Sequence, residues 1–475
     1  MMFKAGLIAG GLALIPACMG AAGAAQAAVD PIQSAFVVMG DGGRAEARVV
    51  TSDMACPSID VDGAAQPLTV RAPPATVPQR PTKSKKSESK PSEFPVTVCE
   101  TTLPQGAKTA SVAGRRLPVP VAEPKRIVVI GDTGCRIKSA DNAAQACNDM
   151  GEYPFARVAA AAAAFKPDLV VHVGDYLYRE NACPMGNSGC FGSPWGYGWD
   201  AWNADFFAPG APLLAAAPWA ASRGNHESCD RAGQGWWRFV DSRPLIPGRD
   251  CNEEANDKIG DYADPYAIPL GGGAQLIMLD SSKTTNGAIP PEDYMAGQYR
   301  DMYAKMDGLA RLAPYNIVVD HHPLLSATAH IDKDTGKPKI EGGNGGLQSV
   351  FSGQNPWLFP PTVKMLLAGH VHVWEQVSFS SPHPMQFVAG FSGTQEDLVP
   401  LPKTLPANTY VGPGVSVDKF SSWVDGFGFM TMVRTGAESW DIEIHDVNGK
   451  VLNHCKAEGR QSSCDLPQVV APSRP

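Results

Sequence analysis

Positive charge is not in surplus in this 475-residue chain: 40 Lys+Arg stand against 48 Asp+Glu, a formal net charge of −8. A role that rests on gripping a nucleic-acid backbone or an anionic membrane has no electrostatic footing in that balance. No Cys-x-x-Cys occurs among the 11 cysteines, so thiol-redox and zinc-thiolate spacings are both missing. Repeats of solenoid length are absent, and beyond the N-terminus no apolar run is long enough to span a bilayer. What is present, 44% hydrophobic and only 19% charged residues, is the material of a large globular protein with room for about three units of roughly 150 residues.

At the N-terminus Lys4 precedes an apolar Gly/Ala/Leu/Ile stretch from Ala5 to Pro16 and a small-residue run ending Ala25-Gln26-Ala27. This order fits a secretory signal peptide over residues 1–27, cleaved after Ala27, and predicts a periplasmic or secreted protein with no membrane span after cleavage. Cleavage removes Cys18 and leaves an even ten cysteines for an oxidising compartment, where disulfides persist. They fall into five sequential pairs, and structural bridges between sequence neighbours are expected.

Residues 28–122 hold short β-type runs, Ala35 to Met39, Ala45 to Thr51, Leu68 to Arg71 and Val96 to Glu100, separated by turn residues. They predict a small β-sandwich-like domain. Within it PPATVPQRPTKSKKSESKPSE is rich in Pro, Ser and Lys and reads as a solvated, mobile loop. From residue 123 to 475 apolar runs alternate with helical stretches, the layout of an α/β layered domain, and the chain ends in antiparallel strands around an Asn448-Gly449 turn.

Six of these runs, RIVVIGD, PDLVVHVGD, APWAASRGNHE, AQLIMLD, NIVVDHHP and VKMLLAGHVH, read as buried strands leading into polar tips. Ligand sites of α/β folds lie beyond the carboxyl ends of such strands. The tips offer Asp132, Asp175 with Tyr178, Asn225 with His226, His321, and His370 with His372. Carboxylate, imidazole and amide donors without thiolate suit Fe, Zn or Mn. Two cations sharing a carboxylate can activate water and neutralise an attacked phosphoryl group. Asp175 is the expected bridge. The count then places Asp132, Asp175, Tyr178 and His372 on one metal and Asp175, Asn225, His321 and His370 on the other.

The blocks Asp132-Thr-Gly134, Gly174-Asp175-Tyr-Leu-Tyr178, Gly224-Asn225-His226-Glu227, Val318-Val-Asp-His321 and Gly369-His370-Val-His372 resemble the five blocks of the calcineurin-like metallophosphoesterases. Within that family the chain is most similar to the purple acid phosphatases. Many relatives have Asp-x-His in the first block, where this chain has Gly134. The resemblance implies that Tyr178 fills the vacancy as a phenolate on Fe(III), with Zn, Fe or Mn as the divalent partner. It also implies a four-layer β-sandwich flanked by helices behind a small N-terminal all-β domain. Two catalytic histidines follow from it: His226 stabilises the transition state, and His330, nine residues after His321, protonates the leaving group.

The activity so implied is hydrolysis of small-molecule phosphate monoesters by a metal-held hydroxide attacking phosphorus in line. Phosphodiesterase or nucleotidase activity is the alternative on the same scaffold, and an inactive extracellular binding module is the remote one. Around the site, Trp202, Phe206 and Phe207 read as helix core, while Trp195 and Tyr197 are candidates to face substrate. Arg231 reads as a phosphate contact or a solvated surface arginine, and His322, His445 and His454 as structural. Oligomeric state leaves no trace in the sequence.

Overall fold

Short β-branched runs with both faces apolar form strands buried from two sides, and covering them takes layers on each face. The structure, a computed structural model, describes residues 1–3, 6, 30–332, 334–406 and 409–470. Arg126–Ile130, Leu169–His172 and Trp219–Ala221 lie parallel in one sheet. Ala274–Met278, Tyr315–Val319, Val363–Ala368 and Met385–Ala389 lie parallel in a second.

Because successive side chains point to opposite faces, Ile127, Val129 and Val171 meet Leu276, Ile317 and Met365 in the core between the sheets. The intervening Val128, Ile130 and Val170 pack outward against helix Phe155–Ala164 and the aromatic segment of Trp202, Phe206 and Trp236. On the far side Ile277, Val318 and Leu366 cover helices Tyr294–Ala310 and Gly345–Phe351. Each such Ile, Val or Leu contributes about 1.5–3 kcal/mol by leaving water. The result is the expected four layers, helix, sheet, sheet and helix.

The strand-rich N-terminal region is present, and its long strands continue the first sheet. Ile32–Met39 joins Trp219–Ala221 in parallel, through Val38 and Trp219, and pairs antiparallel with Ala45–Thr51. Thr97–Leu103 and Thr69–Ala72 follow, while Gly428–Arg434 to Gln461–Cys464 extend the other flank, giving eleven strands among the described residues. The expected division between 122 and 123 therefore falls inside one compact unit, Ile32–Pro475. The physical reason is shared burial: Val37 and Val49 face the inter-sheet core, and Phe36 and Val38 the aromatic layer. Ser58–Val61, Ala64–Pro67, Ala110–Val112 and Arg115–Leu117 make a small sheet of their own, and Ala75–Val77 pairs with Ser92–Phe94 in another.

The Pro/Ser/Lys segment is not the free loop its composition suggests. Lys83 N donates to Asp230 O at 3.0 Å, Arg80 Nη1 to Cys251 O at 2.6 Å, and Asn181 Nδ2 to Ser84 Oγ at 3.0 Å and Glu88 O at 2.9 Å. Few apolar side chains are needed when polar groups, side-chain and backbone alike, do the docking. All five sequential cysteine pairs are bridged: Cys56–Cys99, Cys135–Cys147, Cys183–Cys190, Cys229–Cys251 and Cys455–Cys464. The leader expected over 1–27 lies, except for residues 1–3 and 6, outside the described residues. Among the described residues no helix is long and apolar enough to cross a membrane.

Strand Trp374–Phe379 carries one acid into the interior. Glu375 is buried and accepts from Ala327 N at 3.1 Å, and burial pushes its carboxyl up to about 8. Between the ordinary value near 4.5 and about 8 the native state keeps a proton that the unfolded chain releases. Stability from this group is thus full at low pH and lost as pH rises through that window. Denaturant unfolding at pH 5 and pH 8 should show Glu375→Gln gaining on wild type as pH rises, by on the order of a few kcal/mol. An unchanged difference between the two proteins would contradict the buried acid.

Candidate metal centre

The carboxyl ends of the parallel strands converge on one edge of the sandwich. Asp132, Asp175 and Asn225 follow strands of the first sheet, and His321, His370 and His372 strands of the second. Three of these residues have left-handed backbone: Asp132 at φ 52°, Asp175 at φ 59° and His370 at φ 70°. That conformation is uncommon for a residue with a Cβ and concentrates at functional sites. At His370 it bends the chain, so His370 and His372 do not simply alternate as they would along an extended strand.

All seven expected ligands form one continuous set of hydrogen-bonding contacts that passes through Asp175 and Tyr178. Tyr178 Oη lies 2.8 Å from Asp132 Oδ1, 2.7 Å from Asp175 Oδ2 and 2.9 Å from His372 Nε2. Asp175 Oδ2 lies 3.2 Å from His321 Nε2. Asn225 Oδ1 is 3.0 Å from His321 Nε2 and 2.9 Å from His370 Nδ1. The outer nitrogens are committed elsewhere: Nδ1 of His321 donates to Val173 O at 2.9 Å and Nδ1 of His372 to Gln395 O at 2.8 Å. Such bonds turn Nε2 inward in both rings.

Electrostatics follow from burying two carboxylates together. Burial raises Asp132, whereas His321 and His226 hold Asp175 well below the carboxylate range against its own burial. Burial and then the two carboxylates push the Tyr178 phenol well up. His321 rises to about 9 despite burial because Asp175 faces it, and burial with His321 lowers His370 to about 3. One phenolic proton faces three acceptors, Asp132, Asp175 and His372. A donor set this rich in lone pairs and this short of positive charge fits cations. Asp132, Asp175 and His321 lie close enough for one ion, as do His321, His322 and His370.

His226 stands against the cluster, its ring 3.7 Å from that of Tyr178 and Nε2 3.9 Å from Asp175 Oδ2. Burial and Arg231 lower it to about 4. Arg231 is neither solvated nor free to grip a phosphate: it is buried, pairs with Glu180 and touches His226 through Nη2. Tyr197 likewise donates to Glu180, at 2.9 Å, instead of facing substrate. His330 stands on the hairpin Thr328–Ile331/Pro338–Glu341 with its side chain 42% exposed, and its polar neighbour is Glu341 at 3.6 Å, not a member of the cluster. His322 packs 4.2 Å from the His370 ring and 3.2 Å from Ser281 Oγ.

Residues that the sequence did not flag hold the tips in place. Glu227 accepts from four backbone amides, those of Asp175, Tyr176, Leu177 and Gly224, at 2.8–3.2 Å. Ser281 Oγ accepts from the amides of His321 and His322 at 3.1 and 3.0 Å. The Glu of Gly-Asn-His-Glu was in view as part of a motif, but a serine after a strand carries no signal of its own.

Gly134 is now explained sterically. A Cβ there would meet Tyr178 N at 2.7 Å and Asp205 Oδ2 at 2.8 Å, so no histidine fits this first block. Gly134→Ala is expected to displace the Tyr178 loop and destabilise the fold by about 1–3 kcal/mol. Thermal unfolding with metal analysis checks this, and an unshifted midpoint would refute the close approach.

The family model for calcineurin-like phosphoesterases matches residues 125–374, more than half of the chain. Among solved structures, purple acid phosphatase PPD1 from seeds of yellow lupin (Lupinus luteus) superimposes with a TM-score of 0.53 at 15% identity, over 92% of this chain and 74% of that one. PhoD is similar with a TM-score of 0.48 at 10% identity, over 91% of each chain. Among curated protein sequences none matches. With five strand-tip blocks in family order, their side chains gathered in one buried cluster and the family match spanning all five, the chain belongs to the calcineurin-like phosphoesterases.

Proposed function

We propose that this protein is an exported, two-metal hydrolase of phosphate monoesters resembling the purple acid phosphatases. The observation that carries the reading is Asp175, whose Oδ2 touches both Tyr178 and His321 and so belongs to both halves of the donor set. Asp132, Asp175, Tyr178 and His372 would hold one ion, Fe(III), and Asp175, Asn225, His321 and His370 a divalent Zn, Fe or Mn. When bound, the pair supplies Lewis acidity toward phosphoryl oxygens and lowers the pKa of a water.

The chain's own residues supply orientation. His321 and His372 are clamped on carbonyls, and His226, whose ring lies 3.7 Å from that of Tyr178 beside Asp175, is the proposed contact to a phosphoryl oxygen. His330 is the proposed proton donor to the departing alcohol, delivered by its hairpin. The sequential disulfides and the N-terminal leader pattern support a periplasmic or secreted location. Diester or nucleotide substrates are the second reading, favoured by nothing specific in the cluster.

Protein made in an oxidising compartment is expected to carry two metal equivalents and to cleave phosphate monoesters faster than diesters in a substrate panel. The reverse preference would favour the second reading, and a metal-free, inactive protein would end the first. A phenolate on Fe(III) also gives visible charge-transfer colour. Tyr178→Phe should lose most of it while the fold persists, and an iron-loaded, oxidised wild type without a visible band would remove the phenolate.

A further inference from the structure

The aromatic segment after Cys190 does more than fill the outer layer. Its single wide turn of π-helix, Asn203–Phe207, carries a fully buried carboxylate, Asp205, inward between two strand-tip loops. Oδ1 accepts from Cys135 N at 3.0 Å and pairs with Arg179 Nε at 2.5 Å. Oδ2 accepts from Tyr178 N at 2.8 Å and Arg179 N at 3.2 Å. The same Oδ2 occupies the space beside Gly134 that a side chain would need. Tyr153 donates to Asp205 O at 3.0 Å and holds this residue's own backbone.

We propose that Asp205 is the positioning residue that sets the Tyr178 phenol between Asp132 and Asp175, and so decides occupancy of the metal position on that side. The inference rests on Tyr178 being a metal ligand, as argued above. Tyr178 reaches the cluster only from a loop whose amides at 178 and 179 point the other way, and Asp205 is their acceptor. It also ties that loop to the Asp132 loop through Cys135 N. A carboxylate is required because all four partners donate. An amide of the same shape must turn its own N–H groups on one pair of them, either Tyr178 N and Arg179 N or Cys135 N and Arg179 Nε.

A purely structural role, an ion pair bracing the helical layer, predicts something different: lower stability with the metal site intact. Asp205→Asn and Trp202→Phe, the latter a buried neighbour in the same segment, separate the two. Metal content and affinity are measured on folded protein alongside thermal unfolding. Asp205→Asn should bind one of its two ions at least tenfold more weakly, within the range seen when an outer hydrogen-bond partner of a ligand is lost, with the visible band diminished. Trp202→Phe should lower the unfolding midpoint and keep both ions.

Two undiminished equivalents in Asp205→Asn, or equal metal loss in Trp202→Phe, would overturn the proposal while leaving the functional reading intact. A wild type that takes up no metal would overturn both. If Asp205→Asn does not fold, Tyr153→Phe, which releases only the carbonyl of Asp205, must weaken the same ion, and unchanged affinity there also overturns the proposal.

Discussion

Two carboxylates, Asp132 and Asp175, are buried within reach of one phenol, each at most 1% exposed. Like charges in such a place cannot both ionise without help. The protein answers by splitting them: Asp175 is kept ionised by His321, while burial draws Asp132 toward its neutral form. That arrangement would be poor design for a core whose task is stability alone. The left-handed backbone at both residues points the same way, since each aims its carboxylate into the cluster at a conformational cost. A constraint held at that expense is the mark of a site.

How the cost is met shows in the amides around it. Glu227 gathers four backbone N–H groups from the Asp175 and Asn225 tips, and Asp205 gathers those of Cys135, Tyr178 and Arg179. Both fix the loops by giving these inward amides acceptors, which a buried backbone demands in any case. The burial that pushes Glu227 up to about 8 is therefore part of the same economy: it sits beside Asp175 and still serves as an acceptor.

The strands and their polar tips were legible because period-two apolar runs and the residue after them are local signals. Ile130 to Asp132 and Val319 to Asp320-His321 can be read without knowing what they touch. The disulfides were legible because each cysteine is bridged to the next in cysteine order, even across the 43 residues from Cys56 to Cys99. What was hidden depends on partners far away in the chain. Ile32–Met39 looks the same whether it builds a separate sandwich or pairs with Trp219–Ala221, since alternation says which faces are buried and not against what. The lysine-rich segment looked free because its docking uses polar groups of Arg80, Lys83, Ser84 and Glu88 whose partners lie far along the chain. Arg231 read as a phosphate contact or a surface residue because Glu180, its buried counter-charge, lies 51 positions away.

The inter-sheet core that brings the tips together is apolar, and hydrophobic burial has no directional preference. It presses the two sheets face to face but does not set their register to the fraction of an ångström that a metal site needs. The polar edge does. His321 Nδ1, from the second sheet, donates to Val173 O of the first at 2.9 Å, His370 N donates to Asp132 Oδ2 at 3.0 Å, and Thr394 N to Asp132 O at 2.8 Å. Each of these bonds joins a residue beyond one sheet to a residue beyond the other. The donor set is thus a clasp across the sandwich as well as a candidate metal centre, so binding there acts on both sheets at once. Any ion that binds the folded cluster and not the unfolded chain must stabilise the whole fold by mass action.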